Sequence, residues 1–207
     1  MLRRDCLGWM ARAGLAGLLP AAMPVHARAG GQIEEQLADP VRLALRAAIE
    51  HPAPPEPEFP DPDARLAYLR WLGAMSPRLA RRKPGLQTRV DFLQTVWYES
   101  RRAGIDESLV LGLIQVESGF RKFAVSPAGA RGYMQVMPFW ARLIGDGDPS
   151  KLFLLQANIR FGCVILRHYI ERERGDLFLA LGRYNGSRGL AGYPDAVFAA
   201  QKDWRRA

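Results

Sequence analysis

Gln115–Trp140 reads QVESGFRKFAVSPAGARGYMQVMPFW, and the fold is decided by how this stretch is read. The run leading into it, Leu109 to Val116 (LVLGLIQV), is apolar on most sides and predicts a buried helix. A lone carboxylate, Glu117, stands at the end of that run, before a break at Ser118-Gly119. A loop of small and polar residues follows, SPAGARG (126–132), then an apolar strip with two methionines and one amide, MQVMP (134–138). An acid at the end of a buried helix, facing a glycine-rich loop, suits a cleft better than a structural core.

Working upstream, Asp106 is a good N-cap for this helix, and Glu107 lies in its first turn. Leu86 to Ala103 predicts another helix, with Val90, Leu93, Val96 and Trp97 on one face and Gly104 as its end. Asp63 to Arg82 has helical spacing through Leu66, Leu69, Leu72 and Leu79, closed by the basic RLARRKPG. That basic cluster reads as a solvated helix end rather than a nucleic-acid site. Before it, HPAPPEPEFPDP is too proline-rich for a helix interior and marks a linker or strap. Gln32 to Glu50 predicts a short amphipathic helix through Leu37, Val41, Leu45 and Ile49.

Downstream, Phe139 to Ile144 is a short predicted helix, and Gly145 to Pro149 a turn. Ser150 is expected to cap a long helix from Leu152 to Arg174, closed by Gly175. Asp176 starts a further helix, broken at Asn185-Gly186-Ser187, and a last one covers Tyr193 to Trp204. No strand alternation and no repeat period appears. The fold class is therefore all-α, with the compact unit from Leu86 onward.

Residues 1–29 have the form of an export signal, with Arg3 and Arg4 at the start, a weakly apolar segment, and Ala27-Arg28-Ala29 as a small-x-small cleavage site. RRDCL resembles a twin-arginine signal. Arg12 argues against a membrane anchor, which needs about 20 predominantly apolar residues. The expected organisation is thus 1–29 signal, 30–85 helical arm with a Pro-rich linker, and 86–207 catalytic domain.

The chain carries a net charge of +8; Arg3, Arg4, Arg12 and Arg28 against Asp5 account for +3, which leaves +5 on the remainder. That modest field suits an anionic polymer or surface without choosing one. The basic residues are dispersed and no nucleic-acid module is visible, so no nucleic-acid partner is expected. The three histidines lack ligand spacing, so no metal is expected, and nothing calls for a cofactor. Cys163, in an apolar helical run, reads as a small core residue.

The chemistry centres on Glu117. The negative end of its helix and its apolar surroundings both raise a carboxyl pKa, which fits a general acid. The plain alternative is a surface glutamate at a helix end. Ordinary glycosidases need two carboxylates about 5–9 Å apart. No later acid, from Asp146 to Asp203, shares the context of Glu117, so a single acid is the economical reading.

These residues resemble the soluble lytic transglycosylases, the goose-lysozyme-like family that cleaves bacterial peptidoglycan. ESGF followed by AVSPAGARGYMQVMP is similar to the family's two central motifs, with Tyr133 where the family usually has Leu. Asn158-Ile159 with Gly162 resembles the N-I-x-x-G of the family's long helix. Leu179-Ala180 leading to Tyr184-Asn185 resembles the last motif, usually A-Y-N-A-G, here with Arg183 before the tyrosine and Gly186-Ser187 after the asparagine. The resemblance runs from Leu86 to Tyr193 and implies a lysozyme-like catalytic domain (goose-type lysozyme/SLT fold) with a helical N-terminal arm.

It also implies roles. Glu117 protonates the bond between N-acetylmuramic acid and N-acetylglucosamine, then takes the proton of the muramoyl 6-hydroxyl, leaving a 1,6-anhydro end. Tyr184 hydrogen-bonds or orients Glu117. Ser126 and Gln135 contact sugar amides and hydroxyls, Met134 and Met137 line the groove, and Asn185 braces the loop. Asn158 either braces it or lines the groove. Without the family, the methionines would be core and Asn185-Gly186 a plain turn. Peptidoglycan strands are the implied partner, with an envelope machine left open, a monomer the expected state and the periplasm the expected place. The alternatives are a hydrolytic goose-type lysozyme and a non-catalytic peptidoglycan-binding or scaffold module.

Overall fold

The computed structural model describes Gln32, Leu43, Arg46 and residues 56–144 and 147–205. The expected signal (1–29) and almost all of the expected helix from Gln32 to Glu50 lie outside the described residues.

Helix α1 spans Pro62–Leu79. The Asp61 side chain accepts from the Ala64 N–H at 2.7 Å, and Pro62 takes the first turn, where its missing N–H is not needed. Helix α2 spans Leu86–Arg102 and α3 spans Glu107–Ser118. The Asp106 carboxylate caps α3 through the Ser108 and Leu109 N–H groups, as its position predicts. Gly119, in left-handed geometry at φ 56°, ends it. A short α4 (Pro138–Ile144) follows the loop.

The expected Ser150 cap is corrected. Asp148 is the capping residue, accepting from the Ser150 N–H at 2.8 Å and the Ser150 hydroxyl at 2.7 Å. It starts a single 3-10 turn, Pro149–Phe153, and the long helix α5 begins only at Leu155 and runs to Arg172. Pro149 and the extended backbone at Leu154 separate the two elements. Helix α6 (Leu177–Asn185) is capped by Asp176, and α7 (Gly192–Lys202) completes the chain. Among the described residues the only β-pairings are isolated antiparallel bridges, Val125–Arg131 and Arg131–Val136, so the fold is all-α.

The core is one contiguous cluster. Tyr68, Trp71, Met75 and Leu79 of α1 are buried in it, although residues 62–79 fall in the stretch expected as an arm. Trp71 and Trp97 rings lie 5.0 Å apart, and Tyr68 meets Trp97 edge-on at 5.2 Å. Such pairs add about 0.5–1.5 kcal/mol each beyond burial. Cys163 of α5 is a buried free thiol in the same core.

The most extensive helix contact joins α3 to α7. It depends on Gly112: a β-carbon there would stand 2.7 Å from the Gln201 backbone nitrogen. This close approach brings the start of α7 alongside the end of α3.

Candidate active site

Glu117 is buried on the last turn of α3, with 9% of its surface exposed. Tyr193, from the first turn of α7, donates its hydroxyl to Glu117 Oε1 at 2.5 Å. Glu117 Oε2 is buried and has no hydrogen-bond partner. Burial pushes the carboxyl up to about 8, against the opposing pull of the Tyr193 hydrogen bond. A group so placed is largely protonated at neutral pH. Because Tyr193 donates to Oε1, the acid proton falls to Oε2. No second carboxylate enters this balance.

The loop facing Glu117 is built by hydrogen bonds. The Ser126 hydroxyl accepts from the Ala130 N–H at 3.1 Å, and the Ser126 N–H donates to the Ala130 carbonyl at 3.0 Å, closing a turn. Gly132 adopts φ 76°, and a β-carbon there would collide with the Asn158 amide and the Leu152 carbonyl. Asn158 is therefore a brace: it accepts from the Met134 N–H at 2.8 Å and donates to the Arg131 and Leu152 carbonyls.

Tyr184 is buried, and its hydroxyl donates to the Met134 carbonyl at 2.7 Å. The hydrogen bond to Glu117 expected of Tyr184 comes instead from Tyr193. Tyr184 still lies within electrostatic reach of Glu117, and burial is the main cause that raises its own hydroxyl well above the usual range. Met134 is buried with its sulfur against Gly162, while Met137 is half-buried. Gln135 is buried at φ 48°, its side-chain nitrogen committed to the Ala124 and Gly132 carbonyls. Asn185 donates to the Ser187 hydroxyl at 3.0 Å, and its own amide oxygen is buried without a partner.

Two departures in the motifs, Tyr133 and Arg183, have partners elsewhere in the chain. Tyr133 accepts from Lys83 Nζ at 2.8 Å, and the same ammonium lies over the Tyr133 and Phe92 rings. Burial lowers Lys83 to about 8, with Lys122 adding to the effect, and raises Tyr133 to about 12. Arg183 pairs with Glu173, which also takes two hydrogen bonds from Arg188. The Arg188 bonds, then Arg183, hold the Glu173 carboxyl down at about 2 against the opposing cost of burial.

Two residues at the site went unnoticed in the sequence. Tyr193 had a local signal, since Tyr193, Val197 and Gln201 recur every four residues on the face that meets α3. Gln32 had none. Its buried amide accepts from the Met137 N–H at 3.2 Å and the Trp140 indole N–H at 3.0 Å, and it donates to the Gln135 carbonyl at 3.3 Å. Among the described residues there is no cluster of side chains suited to a metal ion, and no helix is long and apolar enough to cross a membrane.

Comparison with known proteins finds several relatives of this chain. The chain is 49% identical over 113 residues to membrane-bound lytic murein transglycosylase C of Mannheimia succiniciproducens, an alignment covering 47% of this chain and 32% of the relative. It is 30% identical over 113 residues to the protein of the same name from Haemophilus influenzae, with the same coverage. The chain thus spans about a third of the length of these curated relatives. A solved lytic transglycosylase Slt from Pseudomonas aeruginosa, in an inactive mutant form, is 22% identical with a TM-score of 0.44, over 66% of this chain and 26% of that one. Residues 95–202, more than half of the chain and including Glu117, Tyr184 and Tyr193, match the transglycosylase SLT domain model, and the chain belongs to that family.

Proposed function

We propose that this chain is a lytic transglycosylase that cleaves the β-1,4 bond between N-acetylmuramic acid and N-acetylglucosamine in peptidoglycan. The observation that carries the reading is the single buried Glu117 carboxyl, held by Tyr193 on one oxygen and unpaired on the other. The Oε2 proton passes to the glycosidic oxygen as its bond to the muramoyl anomeric carbon breaks. The muramoyl 6-oxygen then bonds to that carbon and gives its proton back to Glu117. The product is a 1,6-anhydro end, no water is consumed and the acid is regenerated. The substrate's own acetamido group stabilises the electron-poor carbon, in the manner of substrate-assisted glycosidases.

In this reading Tyr193 positions the acid, while Tyr184 and Asn158 hold the Met134 backbone that forms the wall opposite. Ser126, Gln135 and Asn185 present polar groups to the sugar, and Met137 gives the groove an apolar floor beside Met134. A hydrolytic reaction would call for a second carboxylate to activate water, and none contributes to the Glu117 environment. Residues 86–207 act as the catalytic domain. The chain works as a monomer on glycan strands in the cell envelope, after export through residues 1–29. Mass spectrometry of fragments released from purified peptidoglycan tests the reaction. Anhydro-muramoyl ends are expected; reducing muramic ends would sink the proposal in favour of a lysozyme.

A further inference from the structure

Gln32 stands more than a hundred residues from the groove in sequence, yet its side chain is buried beside it. Two N–H donors, from Met137 and the Trp140 indole, converge on its carbonyl oxygen. One acceptor, the Gln135 carbonyl, receives its NH2. Among the described residues Gln32 is the sole partner of those three groups. Gln135 and Met137 flank the strip whose Met134 carbonyl takes the Tyr184 hydroxyl, and that hydroxyl is within electrostatic reach of Glu117 and hydrogen-bonding reach of the Gln32 amide. The groove therefore contains a cradle that selects a planar amide, and the amide it holds belongs to the chain's own N-terminal arm.

We propose that Gln32 is an intramolecular occupant of this cradle, competing with an acetamido group of the glycan, so that the Gln32 side chain must leave before substrate seats. The proposal rests on the function given above, because a glycan of N-acetylated sugars is the ligand that carries such groups. The chemistry matches: a sugar acetamido group also offers one carbonyl acceptor and an N–H on one planar unit. The two differ in attachment, Gln32 through the carbonyl carbon and the sugar through nitrogen, so they cannot share the cradle. Leaving a buried indole N–H and a backbone carbonyl unpaired is costly, so the cradle does not stand empty by preference. Either amide satisfies it, which makes the exchange between them close to balanced. An occupant seated in about nine of ten molecules weakens apparent glycan affinity about tenfold.

The test uses the full chain, its Gln32→Ala variant, and tri-N-acetylchitotriose titrated by calorimetry. The variant should bind the trisaccharide about tenfold more tightly, with a lowered KM on peptidoglycan and an unchanged kcat. A trisaccharide of plain glucose units should show no difference between the two proteins. Should the variant misfold, the wild-type chain still decides, because saturating trisaccharide should move the Gln32 side-chain 15N resonance to the position of a free amide. Equal affinity and equal KM, or an unmoved Gln32 resonance at saturation, overturns the occupant while leaving the transglycosylase reading intact. Absence of anhydro products from both proteins overturns that reading, and the occupant with it.

Discussion

Two glutamates are buried among the described residues, and their surroundings are opposite. Glu99 of α2 is 1% exposed and surrounded by partners. Arg160 meets its Oε1 at 2.8 Å, Arg102 its Oε2 at 3.4 Å, and Gln156 donates to it at 2.8 Å. Glu117 of α3 has one phenol and no cation. Between α2 and α5 the carboxyl is paired with two guanidinium groups. Between α3 and α7 the charge is suppressed and a proton retained. Burial beside cations leaves a carboxyl paired, whereas burial without one raises its pKa.

The contrast can be broken from either side. The largest effect is expected from Glu117→Gln, which keeps the shape and removes the proton donor. Clearing of peptidoglycan suspensions should fall at least about a hundredfold. Stability should respond as well. The folded-state value of about 8 lies above the ordinary 4.5, so the folded chain holds an extra proton between those limits. Stability is therefore full below pH 4.5 and declines as pH rises through 8, and denaturant midpoints of Glu117→Gln across that range should lose this slope.

On the other side of the contrast, Arg160→Met should cost about 3 kcal/mol by stranding much of the Glu99 charge, with Arg102 covering the rest. Chemical denaturation measures this loss, and the activity of the molecules that remain folded should hold. The smallest effect belongs to Tyr193→Phe. Its hydroxyl lowers the Glu117 pKa, so removing it should move the alkaline limb of the pH–rate profile upward and reduce kcat about tenfold. An unmoved limb would separate Tyr193 from the acid.

Local signals carried most of the helices. Asp106, Gly119 and Asp176 end or begin their helices where their side chains or positive φ require it. Ser150 misled because Asp148, two residues earlier, caps the turn and takes both the N–H and the hydroxyl of Ser150, and Pro149 diverts the chain into a separate turn. The site was legible at Glu117 and its loop, where the chemistry is contiguous in sequence. It was not legible at Tyr193, whose hydroxyl reaches the acid across 76 residues of chain through the close approach at Gly112. Nor was it at Gln32, since an amide in an arm resembles any surface glutamine until its partners are known. Tyr133 looked like a defect in a motif because its partner, Lys83, lies 50 residues away.

The ion pairs around Glu173 set how the chain responds to its medium. Where the family pattern places Ala before the tyrosine and Ala-Gly after the asparagine, this chain has Arg183 and Gly186-Ser187, and Arg183 and the following Arg188 are drawn together on Glu173. The Arg188 side chain is half exposed. Ionic strength screens such contacts, with a Debye length of about 8 Å at physiological salt and about 3 Å at 1 M. The segment behind Tyr184 thus adds a salt-sensitive clasp to its packing, and concentrated brine should loosen this edge of the groove while leaving the aromatic core between α1 and α2 untouched.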